Sequence, residues 1–290
     1  MVPLTDPAPS ATARRSVWLA TDPSRNPVGT ASLRLFSDPG RSRLAELDLR
    51  VHPAERRRGV GSRLLGAAVA AARADGRCGL LAEAPDGSDA AAFLAARGFR
   101  RALGLTYARL PLAEADTAAL TRLAAQPCPG YRLAYWDGTV PAPLAASFAA
   151  SRRAMDDMPM GGTGLNPPAW DVERVRAAAE AVARRGDLLS TVVALDATDG
   201  TVAGFSELVV PGDGRGDGLH HGTAVLPGHR GRGLARWMKA AVILRARERH
   251  PRLEGLCTDT ADENAPMRRV NDALGYRPTH RAAHYRLDLR

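Results

Sequence analysis

A short basic loop closed by spaced glycines occurs twice in this chain, each time between a strand-like run and a helix-like run. The first copy reads Val51-His52-Pro53-Ala54-Glu55-Arg56-Arg57-Arg58-Gly59-Val60-Gly61. The second reads Val225-Leu226-Pro227-Gly228-His229-Arg230-Gly231-Arg232-Gly233-Leu234-Ala235. Both fit Arg-x-x-Gly-x-Gly/Ala, and Arg56 and Arg230 stand 174 positions apart in a chain of 290 residues. Such a turn directs several backbone N–H groups to one point at a helix N-terminus, which suits an anion and above all a diphosphate. The repetition predicts two copies of one folding unit.

Turn residues and hydrophobic periodicity place the loops within a longer pattern. In the first half, hairpin-like strands at 16–20 and 28–35 precede a strand at Leu44–Val51 and the first loop. A helix at Gly61–Asp75, a buried strand at Cys78–Ala82, a helix at Ser88–Arg97 and a strand at Tyr107–Leu110 follow. Pro111–Pro129 reads as a short connecting helix and a linker, which sets the expected domains at 1–126 and 127–290.

The second half begins with a strand at Tyr131–Trp136 and a helix at Pro143–Met155. A glycine-rich loop, Asp156–Pro168, is expected to be a mobile lid, and a polar helix covers Trp170–Arg185. Strands at 188–195, 202–210 and 219–225 lead into the second loop. Beyond it, Leu234, Trp237, Met238, Ala241 and Val242 mark one face of a helix. A strand at Leu253–Thr258, a helix at Asn264–Leu274 and a strand at His284–Leu289 complete the chain.

Composition removes several classes of function. The net charge of +9 comes from scattered arginines with a single lysine, Lys239, and without interleaved aromatics, so nucleic acid is not an expected partner. No apolar run is long enough for a membrane span, and residues 1–10 lack the apolar core of a secretory signal. Cys78, Cys128 and Cys257 are an odd, unpaired set that suits a reducing, cytoplasmic setting. His250, His280 and His284 lack metal-ligand spacing, so no metal is expected. Neither loop carries a dinucleotide or Walker fingerprint.

The order of elements is more specific than either loop. Strand, Arg-x-x-Gly-x-Gly/Ala, helix, short strand, helix and then Gly98-Phe99 or Gly275-Tyr276 recurs in both halves. This resembles the GCN5-related N-acetyltransferase (GNAT) family as a tandem repeat over nearly the whole chain. The resemblance implies an α/β (α+β) fold of two GNAT-like domains. Each would be a mixed, mostly antiparallel sheet flanked by helices with a splayed cofactor cleft, and the N-terminal copy is truncated. It also implies acetyl-coenzyme A as donor.

The expected cofactor contacts are Val225, Arg230, Gly231, Arg232, Gly233, Leu234, Ala235 and Asn264 in the second half. Those in the first half are Val51, Arg56, Arg57, Arg58, Gly59, Val60 and Gly61. In the family, a tyrosine seven residues after the asparagine protonates the leaving sulfur; that position here is Asn271. The first half has Gly87 and Leu94 at the matching places and lacks the opening strand and two helices. Catalysis is therefore expected in the second half.

Glu207, His221 and Asn271 are the catalytic candidates, and strand alternation puts His221, Thr223 and Val225 on one face. Asp156 and Asp157 are candidates for binding a cationic acceptor. The expected reaction is direct attack of a small-molecule amine on the acyl thioester by a monomer or homodimer. The alternatives are a non-catalytic coenzyme A-binding or regulatory protein and a protein or peptide N-acetyltransferase.

Overall fold

The computed structural model describes residues 2–4, 6, 13–37, 40–166 and 169–289. In chain order the strands and helices are β1 (Val2–Leu4), β2 (Ala13–Thr21), β3 (Pro27–Phe36), β4 (Leu44–Val51), α1 (Val60–Ala74), β5 (Gly79–Pro85), α2 (Asp89–Ala96) and β6 (Arg100–Pro111). They continue with α3 (Thr117–Ala125), β7 (Tyr131–Asp137), α4 (Ala145–Ser151), α5 (Val172–Arg184), β8 (Leu188–Asp196), β9 (Val202–Val210) and β10 (Gly216–Val225). The last are α6 (Leu234–Arg249), β11 (Leu253–Ala261), α7 (Ala265–Ala273) and β12 (Arg277–Asp288).

The chain forms two compact units. Unit 1 contains residues 1–105, 160–168 and 281–290, and unit 2 contains 106–159 and 169–280. These are not the two halves expected from the repeat. The second part of β6 belongs to unit 2, where β6 lies beside β11. The last part of β12 belongs to unit 1, where Ala282–Asp288 pairs antiparallel with Gly79–Pro85 of β5. The expected connecting helix is α3, which lies in unit 2 and packs on α6, with Leu120 buried and the Trp237 Nε1–H donating to the Ala124 carbonyl at 3.0 Å.

Unit 1 is a mixed sheet in the order β1-β2-β3-β4-β5-β12, antiparallel except for the β4–β5 pair. α1 covers one face through Leu64, Leu65, Ala68 and Ala72, all in one apolar cluster with Leu33, Leu80 and Phe99. Ser88 caps α2 by accepting the Ala91 N–H. The first copy is expected to lack its opening strand, but the three-residue β1 pairs antiparallel with β2 at that edge. In unit 2, α4 and α5 lie between β7 and β8.

Unit 2 has the order β6-β11-β10-β9-β8-β7, with β10–β11 its parallel pair. α6 is buried along its whole middle, Trp237 to Ile243, rather than along one stripe. The expected lid is partly packed: Gly161–Thr163 make one 3₁₀ turn in unit 1. Thr163 is buried there, and its carbonyl accepts from Arg286.

The two glycine loops have the same backbone. Arg56 (φ −66°, ψ 157°) matches Arg230 (φ −68°, ψ 163°), and Gly59 (φ 79°) matches Gly233 (φ 82°). Arg57, at φ 65°, holds the left-handed place that Gly231 fills at φ 76°. A side chain there costs about 1–2 kcal/mol, part of which glycine returns through unfolded-chain entropy. Arg57→Gly is expected to stabilise unit 1 by about 0.5–1 kcal/mol, read as a higher urea midpoint. A lower midpoint would mean that the arginine side chain outweighs its strained backbone.

Candidate active site

In unit 2, β10 and β11 run in register only from Gly216↔Leu253 to Leu219↔Cys257. Beyond this vertex the strands part, leaving the β11-facing edge of residues 220–225 without that ladder, while β9 continues to pair on the other edge. β4 and β5 part in the same way after Leu47↔Ala82. Each opening leads to a glycine loop at a helix N-terminus.

The loop after β10 turns once at Pro227–His229, with Pro227 at the first position of the turn, and α6 then starts from left-handed Gly233. The first backbone bond of α6 runs from the Trp237 N–H to the Gly233 carbonyl at 3.0 Å. The amides of residues 231–236 find no acceptor among the described residues, as the start of a helix requires. A Cβ placed on Gly231 or Gly233 would meet nothing within 4 Å. Free amides, the helix dipole and open space suit a diphosphate.

The arginine side chains of this loop are partly committed. Arg230 donates through Nε to the Val225 carbonyl at 2.9 Å and through both terminal nitrogens to Asp157, one at 2.9 Å. That guanidinium holds the Asp157 carboxyl below its ordinary range. The two residues expected to bind opposite ligands are thus paired with each other. Arg232 donates to the Tyr131 hydroxyl at 2.8 Å, which also meets His229 Nδ1 at 2.8 Å. Asp156 remains exposed. Asn264 caps α7 by accepting the Met267 N–H at 3.2 Å.

A bulge at His221 changes the expected alternation. His220 opposes Leu208, but Gly222 opposes Glu207, so one residue of β10 is extra. Thr223 then bonds Ser206 at 2.8 Å, and Val225 packs with Leu208 against α6. Ala224 and Phe205 face the α4 side. His221 therefore does not share a face with Thr223 and Val225. It is exposed, and partial desolvation with nearby Arg185 and Arg152 lowers its pKa while Glu207 and Asp259 oppose this.

Glu207 is not a free base. Its carboxylate is buried and paired with Arg152 at 2.5 Å. The guanidinium lies 5.0, 4.5 and 4.6 Å from the ring centroids of Phe148, Trp170 and Phe205. Arg152 Nε and the Thr191 hydroxyl, on the residue opposite Glu207, find no hydrogen-bond partner among the described residues. Sequence reasoning missed Arg152 because its partner is 55 positions away.

Asn271 is also buried and engaged. Its Oδ1 accepts from Lys239 Nζ at 2.7 Å and its Nδ2 donates to Thr260 Oγ1 at 3.1 Å. Lys239, which sequence reasoning left unassigned, is 1% exposed; its one signal was being the sole lysine among forty Lys and Arg residues. Burial lowers its pKa from the ordinary lysine value to about 7, with Asp259 pulling upward. Its Nζ lies 4.8 Å from the Tyr276 ring centroid, and the Tyr276 hydroxyl meets His220 Nε2 at 2.5 Å. Among the described residues no cluster suits a metal ion, and no helix is long and apolar enough to cross a membrane.

Comparison with known proteins agrees with this architecture. The sequence model of the acetyltransferase (GNAT) family matches residues 5–99 and 158–276. No curated protein matches the chain. Among solved structures, a tandem GNAT protein from the clavulanic acid biosynthesis pathway is 26% identical, with a TM-score of 0.77 over 97% of this chain and 84% of that one. A GCN5-related N-acetyltransferase from Sphaerobacter thermophilus is 16% identical, with a TM-score of 0.66 over 95% of this chain and 81% of that one. Another from Kribbella flavida, also 16% identical, gives 0.56 over 89% and 86%.

Proposed function

The chain belongs to the GNAT acetyltransferase family, and from that premise we propose that unit 2 transfers an acetyl group from acetyl-coenzyme A to the amine of a small molecule. The observation that carries this reading is the set of unpaired amides at 231–236 beside the parted edge of β10. Residues 231–235 would hold the diphosphate. The open edge of residues 220–225 would take the pantetheine arm as an added strand, and a backbone N–H there would polarise the thioester carbonyl. Acetyl-coenzyme A supplies an activated acyl group when bound.

His221 is the best-placed group to accept the amine proton, because it is exposed at the bulge and its lowered pKa keeps it neutral near physiological pH. Glu207, held by Arg152, acts on His221 as a nearby negative charge. Asp156 offers a free carboxylate to a cationic acceptor. A small-molecule acceptor is supported by the 26%-identical protein, whose pathway makes a small molecule. The free thiols at 78, 128 and 257 suit a cytoplasmic setting.

The test is acetyl-coenzyme A with a panel of small amines, following release of the free thiol, together with native mass spectrometry to count bound cofactor. Amine-dependent release is the expected result. Tight binding without turnover on any amine would favour a regulatory coenzyme A-binding protein. Turnover only with peptide or protein amines would favour the third reading.

A further inference from the structure

A buried polar chain lies across one face of the β10–β11 opening. Thr260 belongs to β11 beyond the last paired residue, Cys257, and bonds Asn271 of α7. Asn271 bonds Lys239 of α6, whose ammonium lies over the Tyr276 ring, and Tyr276 bonds His220. His220 is the first residue of β10 beyond Leu219, the last to pair with β11. The chain thus joins the two arms of the opening just past their vertex, with one positive group at its centre.

Packing alone does not require that group. Lys239 is buried on α6 between Met238 and Ala240, whose side chains belong to the apolar cluster, and an apolar side chain of similar volume there would avoid the cost of burying a charge. Its titratable and charged neighbours are Asp259 on β11, His220 on β10 and Tyr276 after α7. Cys257 lies near Tyr276, and the residues that β8, β9 and α3 give to the same cluster are apolar. His220, fully buried and next to the Lys239 charge, is held neutral. Lys239 is therefore the group here that can carry positive charge near neutral pH.

We propose that Lys239 is the positive charge that steadies the sulfur as it leaves the acyl carbon, acting through Asn271 across the floor of the opening. Asn271, Tyr276 and His220 are positioning residues that hold the ammonium there. This rests on the acetyl-transfer reading. In that transfer the amine nitrogen supplies the pair for the new carbon–nitrogen bond. The carbon–sulfur bond breaks with its pair on sulfur, the surplus amine proton goes to His221, and Lys239 Nζ keeps its protons. A fixed charge in a water-poor site stabilises such a developing anion without reorganisation.

The single lysine makes the test specific. Protein labelled with ¹³C at lysine Cε gives one resonance, titrated free, with coenzyme A and with acetyl-coenzyme A. Both ligands carry the same diphosphate, but only the first has an ionisable sulfur. The expected result is that, as the bound thiol ionises above about pH 7, the lysine titration with coenzyme A extends to higher pH than with acetyl-coenzyme A. Curves that superimpose through about pH 10, with both ligands shown bound by native mass spectrometry, would overturn the proposal. Failure of both to bind would instead overturn the acetyl-transfer reading. Lys239→Met is expected to lower kcat about tenfold or more at pH 6.5 and leave KM for acetyl-coenzyme A within about threefold. The fall in kcat as pH rises through 7 should be lost in that variant. An unchanged kcat and pH profile in folded Lys239→Met would also refute it. The labelling experiment uses the unmodified chain, so a misfolded variant does not blunt the test.

Discussion

Removal of residues 281–290 is expected to unfold unit 1 while leaving unit 2 folded. The deleted strand contributes seven ladder pairs to β5, from Ala282↔Pro85 to Asp288↔Gly79. Ala283 and Tyr285 are buried in the unit 1 cluster, and Leu287 packs against it. Burying Tyr285, the Ala283 methyl and part of Leu287 contributes about 3–5 kcal/mol, and the exposed β5 edge adds to the loss. That approaches the total stability of a domain, about 5–15 kcal/mol. Hydrogen exchange should show protection lost across β2–β5 and α1 and kept across β8, β9 and α6. Unaltered protection in β3 and β4 would contradict it. By the same reasoning, cutting the chain between residues 126 and 127 leaves the N-terminal fragment without the partner of β5 and with β6 separated from β11.

Gly233→Leu is expected to weaken acetyl-coenzyme A binding by unit 2 at least about 100-fold, which is roughly 2.7 kcal/mol. Gly233 sits at φ 82°, and a Cβ there enters open space at the start of α6, where the diphosphate oxygens are proposed to lie. The left-handed backbone adds about 1–2 kcal/mol of strain, too little to unfold a domain. Gly228 also faces open space but has no positive φ, so Gly228→Ala is the control and should bind almost normally. Calorimetry or native mass spectrometry on both variants checks this. Unchanged affinity in folded Gly233→Leu would remove the loop from the cofactor site.

The loops were legible because their chemistry is local. Pro227, Gly231 and Gly233 each meet a backbone need within a few residues, and His52-Pro53 with Gly59 does so in the first copy. The helices fell near their caps, at Ser88, Asp171 and Asn264. The exchange of terminal strands was not legible, since nothing within β6 or β12 encodes which of two similar sheets it joins. The bulge at His221 was hidden for a related reason: alternation assumes an unbroken ladder, and one extra residue moves Thr223 and Val225 to the other face. Arg152–Glu207 and Lys239–Asn271 are side-chain pairings across 55 and 32 positions, set by packing rather than by spacing. The GNAT resemblance marked position 271 as important, but not the ammonium behind it.

Arg230 reaches from the start of the donor loop to Asp157, in the segment that follows α4, while its Nε grips the end of β10. One side chain thus ties the loop proposed to cradle the donor to the segment proposed to face the acceptor. In that reading, Arg230→Ala would free both at once, so the tie links how the two proposed sites are shaped.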